Sequence, residues 1–407
     1  MYTKLENNLA LATESIDHMK SVAIGVWVKT GSRDESDAQA GITHFLEHML
    51  FKGTDTRSAK EIAQHVESKG GYLNAFTSSE YTCYVVRCVD SELESSLDVL
   101  SDMILHSTFP EEELEKEKKV VLEEMKMYKD SPDDVIFEEF STMMFPEHSL
   151  GRPIIGFEPT VSSFTKKDLQ TYTSEKYQPH NLLVSIAGNV DHDHAANLIE
   201  HYFSSAQSHS TATRDLQPPT LDPIREKSLT KVIEQTHMIL GRRGLAFNHD
   251  DRIKLLMVNT ILSGGMSARL HQNIREKHGY CYSISAFAQS YIDSGVFGVY
   301  IGTDASYVDH VRDLIHQEFE QLKQERVPES ELQESKTNLK GKMLLAQESM
   351  SNRMMRLAKS YLYHDRFITL DELVDEIDAV TPDEVLEFSQ RFFEKDVFSE
   401  CLLLPES

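Results

Sequence analysis

The segment PEEELEKEKKVVLEEM, residues 110–125, aligns without gaps on PESELQESKTNLKGKM, residues 328–343. Pro, Glu, Glu, Leu, Lys and Met recur at equal spacing. In both copies a Pro followed by acids marks a helix start, with carboxylates at the positive end of the helix dipole. Outward from this pair, each half of the chain opens on strand-like alternation, SVAIGVWVKTG (21–31) and THMILGRRGLAF (236–247), and runs on into helical segments. Between the halves, SSAQSHSTATRDLQPPTLDP (204–223) is polar, lacks apolar periodicity and carries a Pro-Pro pair, as a linker does. The pattern predicts a duplicated α+β chain: a first half over 1–210, a linker over 211–224 and a homologous second half over 225–407.

Length and charge agree with that division. At 407 residues the chain exceeds one ordinary core. A net charge of −25 argues against nucleic acid or an anionic membrane as partner and favours a neutral or cationic one. The opening stretch MYTKLENNLALATESIDHMK does not combine a basic leader, an apolar core and a small-residue cleavage site, and no apolar run is long enough to span a bilayer, so a cytoplasmic protein is expected. Cys83, Cys88, Cys281 and Cys401 lack paired metal-ligand spacing and read as reduced, apolar filler.

The differences between the two copies carry the functional signal. Glu117 and Glu124 of the first correspond to Ser335 and Lys342 of the second. The stretch GITHFLEHMLFKG (41–53), with His44, Glu47 and His48 within five positions of an apolar helix, has no counterpart in the second half. Residues three and four apart share a helix face, so the three polar groups converge. Two imidazoles so spaced can hold zinc while Glu47 stays free to act on a metal-activated water. Large apolar neighbours mark the helix as buried, where such a trio without a shared partner would be costly. A catalytic zinc wants a third protein ligand and one open position. The run EKEKKVVLEEMKMY (115–128) offers Glu124 as that ligand and Glu117, two turns away, as a carboxylate bonding a ligand histidine, with Val120, Val121 and Met125 turned inward. The same run also reads as a plain solvated acidic helix.

HFLEHMLFKGT (44–54) and Glu124, with GGYLNAFTSSEYTCYVV (70–86) between them, SVAIGVWVKTGSRDE (21–35) near the start and SGGMSARLHQNIREKHGYCYSISA (263–286) in the second half, together resemble the pitrilysin/insulinase family of zinc peptidases. The likeness covers essentially the whole chain and is nearest to bacterial members of the mitochondrial-processing-peptidase type. It implies a zinc metalloendopeptidase that cleaves unfolded or extended peptides. One Zn2+ per chain would sit on His44, His48 and Glu124, with Glu47 as general base and Glu117 in support. It further implies that Asn74, Ala75 and Phe76 hold substrate beside the metal through a sheet edge, and that Arg275 and Tyr282 complete the site from the second half. Tyr280, two residues away, stays an alternative to Tyr282 when residues alone are read. The implied fold is two homologous α/β rolls, each a mostly antiparallel sheet with helices on one face, forming a clamshell around a chamber. With two such halves where larger relatives have four, the chain is expected to form a homodimer. The rival expectation is a non-catalytic peptide-binding or structural subunit of a processing-peptidase-like complex.

Overall fold

The computed structural model describes residues 1–206, 214 and 216–406. It divides into two compact units. The first comprises Met1–Met127, Arg152–Leu216 and Ala346–Phe367, the second Tyr128–Gly151, Gln217–Leu345 and Ile368–Ser407.

In the first unit β1 (Tyr2–Lys4), β2 (Ala10–Ser15), β3 (Ser21–Val28), β4 (Tyr72–Thr77), β5 (Thr82–Val89) and β6 (Leu182–Gly188) form one sheet in the order β1-β2-β6-β3-β5-β4. Neighbours are antiparallel except β2 and β6, which run parallel. The pleat sends Val22, Ile24, Val26 and Val28 of β3 into one core, together with Phe45, Leu46 and Met49 of the helix Ile42–Met49. Ala23 and Trp27 face the other way, onto Met350, Met354, Leu357 and Ala358 of the helix Met350–His364. Both faces of β3 are therefore apolar, and its alternation appears as continuous burial.

The second unit repeats the plan. Here β7 (Glu226–Lys231), β8 (Thr236–Arg243), β9 (Cys281–Ser290), β10 (Gly295–Thr303) and β11 (Ser399–Pro405) lie in the order β7-β11-β8-β10-β9, with the single parallel pair now β7 and β11. With β1 set aside, strand order and direction match the first sheet position by position, so the repeat read from the two helical segments extends to the sheets. The second face of this sheet is covered by the helix Pro132–Met144, whose Ile136, Phe140, Met143 and Met144 pack with Ile239, Val296, Cys401 and Leu403.

The units thus differ from the sequential halves 1–210 and 225–407. Each takes one helix from the other half of the sequence, because each sheet has a second apolar face that its own helices leave uncovered. Of the expected linker, residues 211–213 and 215 lie outside the described residues, and 216–224 carry no helix or strand.

The two aligned segments are helices, Glu111–Asp130 and Glu329–Ala346. In the first, the buried stripe is Leu114, Glu117, Val121 and Met125, a run of three- and four-residue steps. Val120, expected to face inward, falls off that stripe and is 48% exposed. All four cysteines are free; Cys83, Cys88 and Cys401 are buried and Cys281 is half-buried. Among the described residues no helix is long and apolar enough to cross a membrane.

Candidate metal centre

The helix Ile42–Met49 buries Ile42, Phe45, Leu46 and Met49, which leaves His44, Glu47 and His48 half-buried on its remaining face. The two imidazole rings lie 4.7 Å apart, centroid to centroid. Glu124 reaches them from the helix Glu111–Asp130: its Oε2 is 3.9 Å from His44 Nε2 and 3.6 Å from His48 Nε2. One ligand atom from each of the three residues falls within 4.8 Å of the others.

Behind this trio, Glu117 is buried in the apolar stripe of its helix and accepts a hydrogen bond from His48 Nδ1 at 2.9 Å. Its second oxygen meets Lys52 Nζ at 2.6 Å. Burial would raise the Glu117 carboxyl, but the bonds from His48 and Lys52 outweigh it and hold it below the usual carboxylate range. With a proton held on Nδ1 by this carboxylate, the neutral form of His48 presents a bare Nε2 to the site. Burial, helped by the neighbouring His48, pushes His44 down to about 3, so this ring stays neutral. For His48, burial acts downward but is overcome by Glu117, Glu124 and Glu47, which raise it. Burial raises Glu47 as well, against the pull of Thr77 and His48. His44 Nδ1 is buried and has no hydrogen-bond partner among the described residues.

Two imidazoles and a carboxylate converging from two helices, one imidazole oriented by a second carboxylate, match the donor set of a catalytic zinc site. A dication between them would be within reach of His44 Nε2, His48 Nε2 and the Glu124 oxygen together.

Strand β4 is the end strand of its sheet. Leu73 and Ala75 pack into the core shared with the motif helix, and the Thr77 hydroxyl on the same face donates to Glu47 Oε2. Strand alternation sends Asn74 and Phe76 to the opposite face. Phe76 packs edge-on against Trp27 at 5.8 Å, and the Asn74 amide donates to the Tyr72 hydroxyl at 2.8 Å. Of the three residues expected to hold substrate at this edge, Ala75 points its side chain towards the motif helix and Asn74 and Phe76 point theirs away, as the period of two requires.

In the second unit Arg275 lies in the one-turn π-helix His271–Glu276, its guanidinium 5.2 Å from the Tyr282 ring centroid. Tyr282, on β9, is 77% exposed. Tyr280 stacks on Tyr307 at 4.6 Å and on His278 at 5.2 Å, so Tyr282 is the tyrosine beside Arg275 and the freer of the two.

Sequence reasoning passed over Lys52, Thr77 and Glu35. Lys52 lies three residues beyond the end of the motif helix at Met49, so helical spacing does not place it, and it reaches the site by pairing with Glu117. Thr77 is reachable only through the strand's register against the helix.

A repeated α+β unit with a convergent His, His, Glu trio in one copy defines a two-unit metallopeptidase-like architecture. The profile described as insulinase (peptidase family M16) matches residues 10–158, and that of the peptidase M16 inactive domain matches 163–339. The chain belongs to peptidase family M16. It is 40% identical to the uncharacterized zinc protease YmxG of Bacillus subtilis over 98% of this chain and 97% of that protein. It is 36% identical to an uncharacterized zinc protease of Streptomyces coelicolor over 94% and 85%. A Helicobacter pylori protease structure superposes with a TM-score of 0.92 at 23% identity, covering 100% of this chain and 99% of that one. A Pseudomonas fluorescens structure described as a peptidase M16 inactive domain gives 0.92 at 18%, covering 100% and 98%. Both establish the shared fold.

Proposed function

We propose that this protein is a zinc metalloendopeptidase acting on extended or unfolded peptides, with its chemistry in the first unit. The observation that carries this reading is the convergence of His44, His48 and Glu124 within 4.8 Å, with Glu47 on the same helix face. Zinc held there supplies Lewis-acid activation of a water and of the scissile carbonyl.

The chain's own residues do the rest. Glu47 takes the proton of the attacking water and delivers it to the leaving amine. Thr77, bonded to one Glu47 oxygen, leaves the other for that proton. Glu117 fixes the His48 tautomer, and Lys52 keeps Glu117 ionised. The outer edge of β4 offers main-chain groups to an extended peptide, which suits weak sequence selectivity. Arg275 and Tyr282 are the candidates that the resemblance nominates for substrate backbone and oxyanion. We further propose that two copies pair as a homodimer.

The reading is tested with a pool of unstructured peptides of graded length, incubated with zinc-replete protein with and without a chelator. Hydrolysis that disappears on chelation and returns with zinc supports it. Zinc-loaded protein that binds these peptides and cleaves none supports the non-catalytic subunit instead. Matched neutral and basic peptides belong in the same pool, because the charge of −25 favours basic residues near the cleaved bond. Equal cleavage of the two sets would remove that preference.

Thr77 offers a finer prediction. Hydrogen bonds to charged groups contribute about 1.5–3 kcal/mol, so Thr77→Val should lower kcat by about ten- to a hundredfold. Thr77→Ser, which retains the hydroxyl, should recover most of it. Steady-state kinetics of the two variants decide whether the hydroxyl or the side-chain volume matters.

A further inference from the structure

We infer that Glu35 is the positioning residue of the motif helix: its buried carboxylate fixes where that helix begins and so where His44 and His48 point. The inference rests on the metal-site reading above. The helix Ile42–Met49 is only eight residues long, too short to hold its own conformation in isolation. Its position is set by what grips its ends, and its first N–H groups need partners from outside.

The residue at its N-cap cannot provide one. Gly41 has φ +93° and no side chain, and a Cβ there would lie 2.6 Å from the Ile155 carbonyl oxygen. Glu35 supplies the cap from six residues upstream. Its Oε2 accepts from Gly41 N and its Oε1 from Thr43 N, each at 2.8 Å. A carboxylate here also faces the positive end of the helix dipole.

The grip is rigid on both sides. Glu35 is 6% exposed. Arg152 donates to the Glu35 carbonyl and to the Asp37 carboxylate, both at 2.5 Å, and Thr160 Oγ1 donates to the Ala40 carbonyl at 2.7 Å. On the helix side Thr43, whose amide Glu35 holds, pairs its hydroxyl with Tyr172 at 2.7 Å and immediately precedes His44. A shift or rotation of the first turn would move His44 directly and His48 one turn on.

Each carboxylate oxygen receives one amide, which makes glutamine a sharp probe. Glu35→Gln is nearly isosteric, yet it sets an NH2 donor against an N–H donor and breaks one of the two bonds to the helix amides. Glu35→Asp keeps the charge but is one methylene short of spanning both amides. Burial pushes the Glu35 carboxyl up to about 7, so the comparison belongs at pH 8.5, where it is ionised.

The full chain and both variants are titrated with zinc against a competing chelator, Co2+ spectra are recorded for each, and metal-free melting is measured. The expected result is a zinc affinity lower by about 10- to 100-fold in Glu35→Gln, with an altered Co2+ spectrum and a smaller loss in Glu35→Asp. A melting temperature that falls while zinc affinity and spectrum stay at the parental values would overturn the inference and leave Glu35 a stabilising residue only. If Glu35→Gln does not fold, Glu35→Asp decides by the same criteria. A parent chain that binds no zinc at His44, His48 and Glu124 would remove the metal-site reading and this inference with it.

Discussion

Glu47→Gln is expected to lower peptide hydrolysis by about 10²–10⁴-fold while zinc stays bound. The argument is geometric. Glu47 shares the helix face of His44 and His48, but the third donor of the converging trio is Glu124, so Glu47 is surplus to the metal and free for proton transfer. It accepts a hydrogen bond from Thr77, a contact that glutamine can keep through its amide oxygen. Burial raises the carboxyl above its ordinary value, the direction that makes a stronger base. Glutamine removes the base and alters little else, so zinc content by elemental analysis should match the parent. Loss of zinc alongside activity would assign Glu47 to the metal rather than to the proton.

Much of this site was legible in the sequence because helical spacing is local. His44, Glu47 and His48 lie within one turn, and a regular helix alone brings them to one face. Glu124 and Glu117 were legible less directly, through the helix that recurs in both halves and the acids only one copy keeps. The position of Glu117 in the buried stripe with Leu114, Val121 and Met125 was a further signal. A carboxylate in an apolar stripe needs a partner, and His48 with Lys52 is that partner.

Contacts that depend on register between distant elements were not legible. Thr77 meets Glu47 only because β4 pairs with β5 in a register that turns 73, 75 and 77 towards the motif helix and 74 and 76 away. Glu35 caps that helix from a loop whose course depends on Arg152 and Thr160, more than a hundred residues later. The interleaving of the two units was hidden for another reason. The helices Pro132–Met144 and Met350–His364 look like ordinary amphipathic segments, and nothing local says which of two like sheets each will cover.

Glu124→Gln should abolish both stable zinc binding and hydrolysis, whereas Glu117→Gln should only weaken the site. Glu124 brings the one negative charge among the three converging donors, and no other carboxylate belongs to that trio. A neutral amide oxygen is a poorer match for a dication in a half-buried setting, where charge is weakly screened. Glu117 acts one step back. Removing its charge releases the His48 tautomer and leaves Lys52 without its carboxylate, but all three donors remain. Loss of an outer-shell partner costs about 10–100-fold in metal affinity, and the ligand variant should exceed that range. Chelator competition on the two variants side by side separates the roles. Equal losses would mean that Glu117 and Glu124 share the metal, and a Glu124→Gln protein that still holds zinc at parental affinity would return the acidic helix to its plain solvated reading.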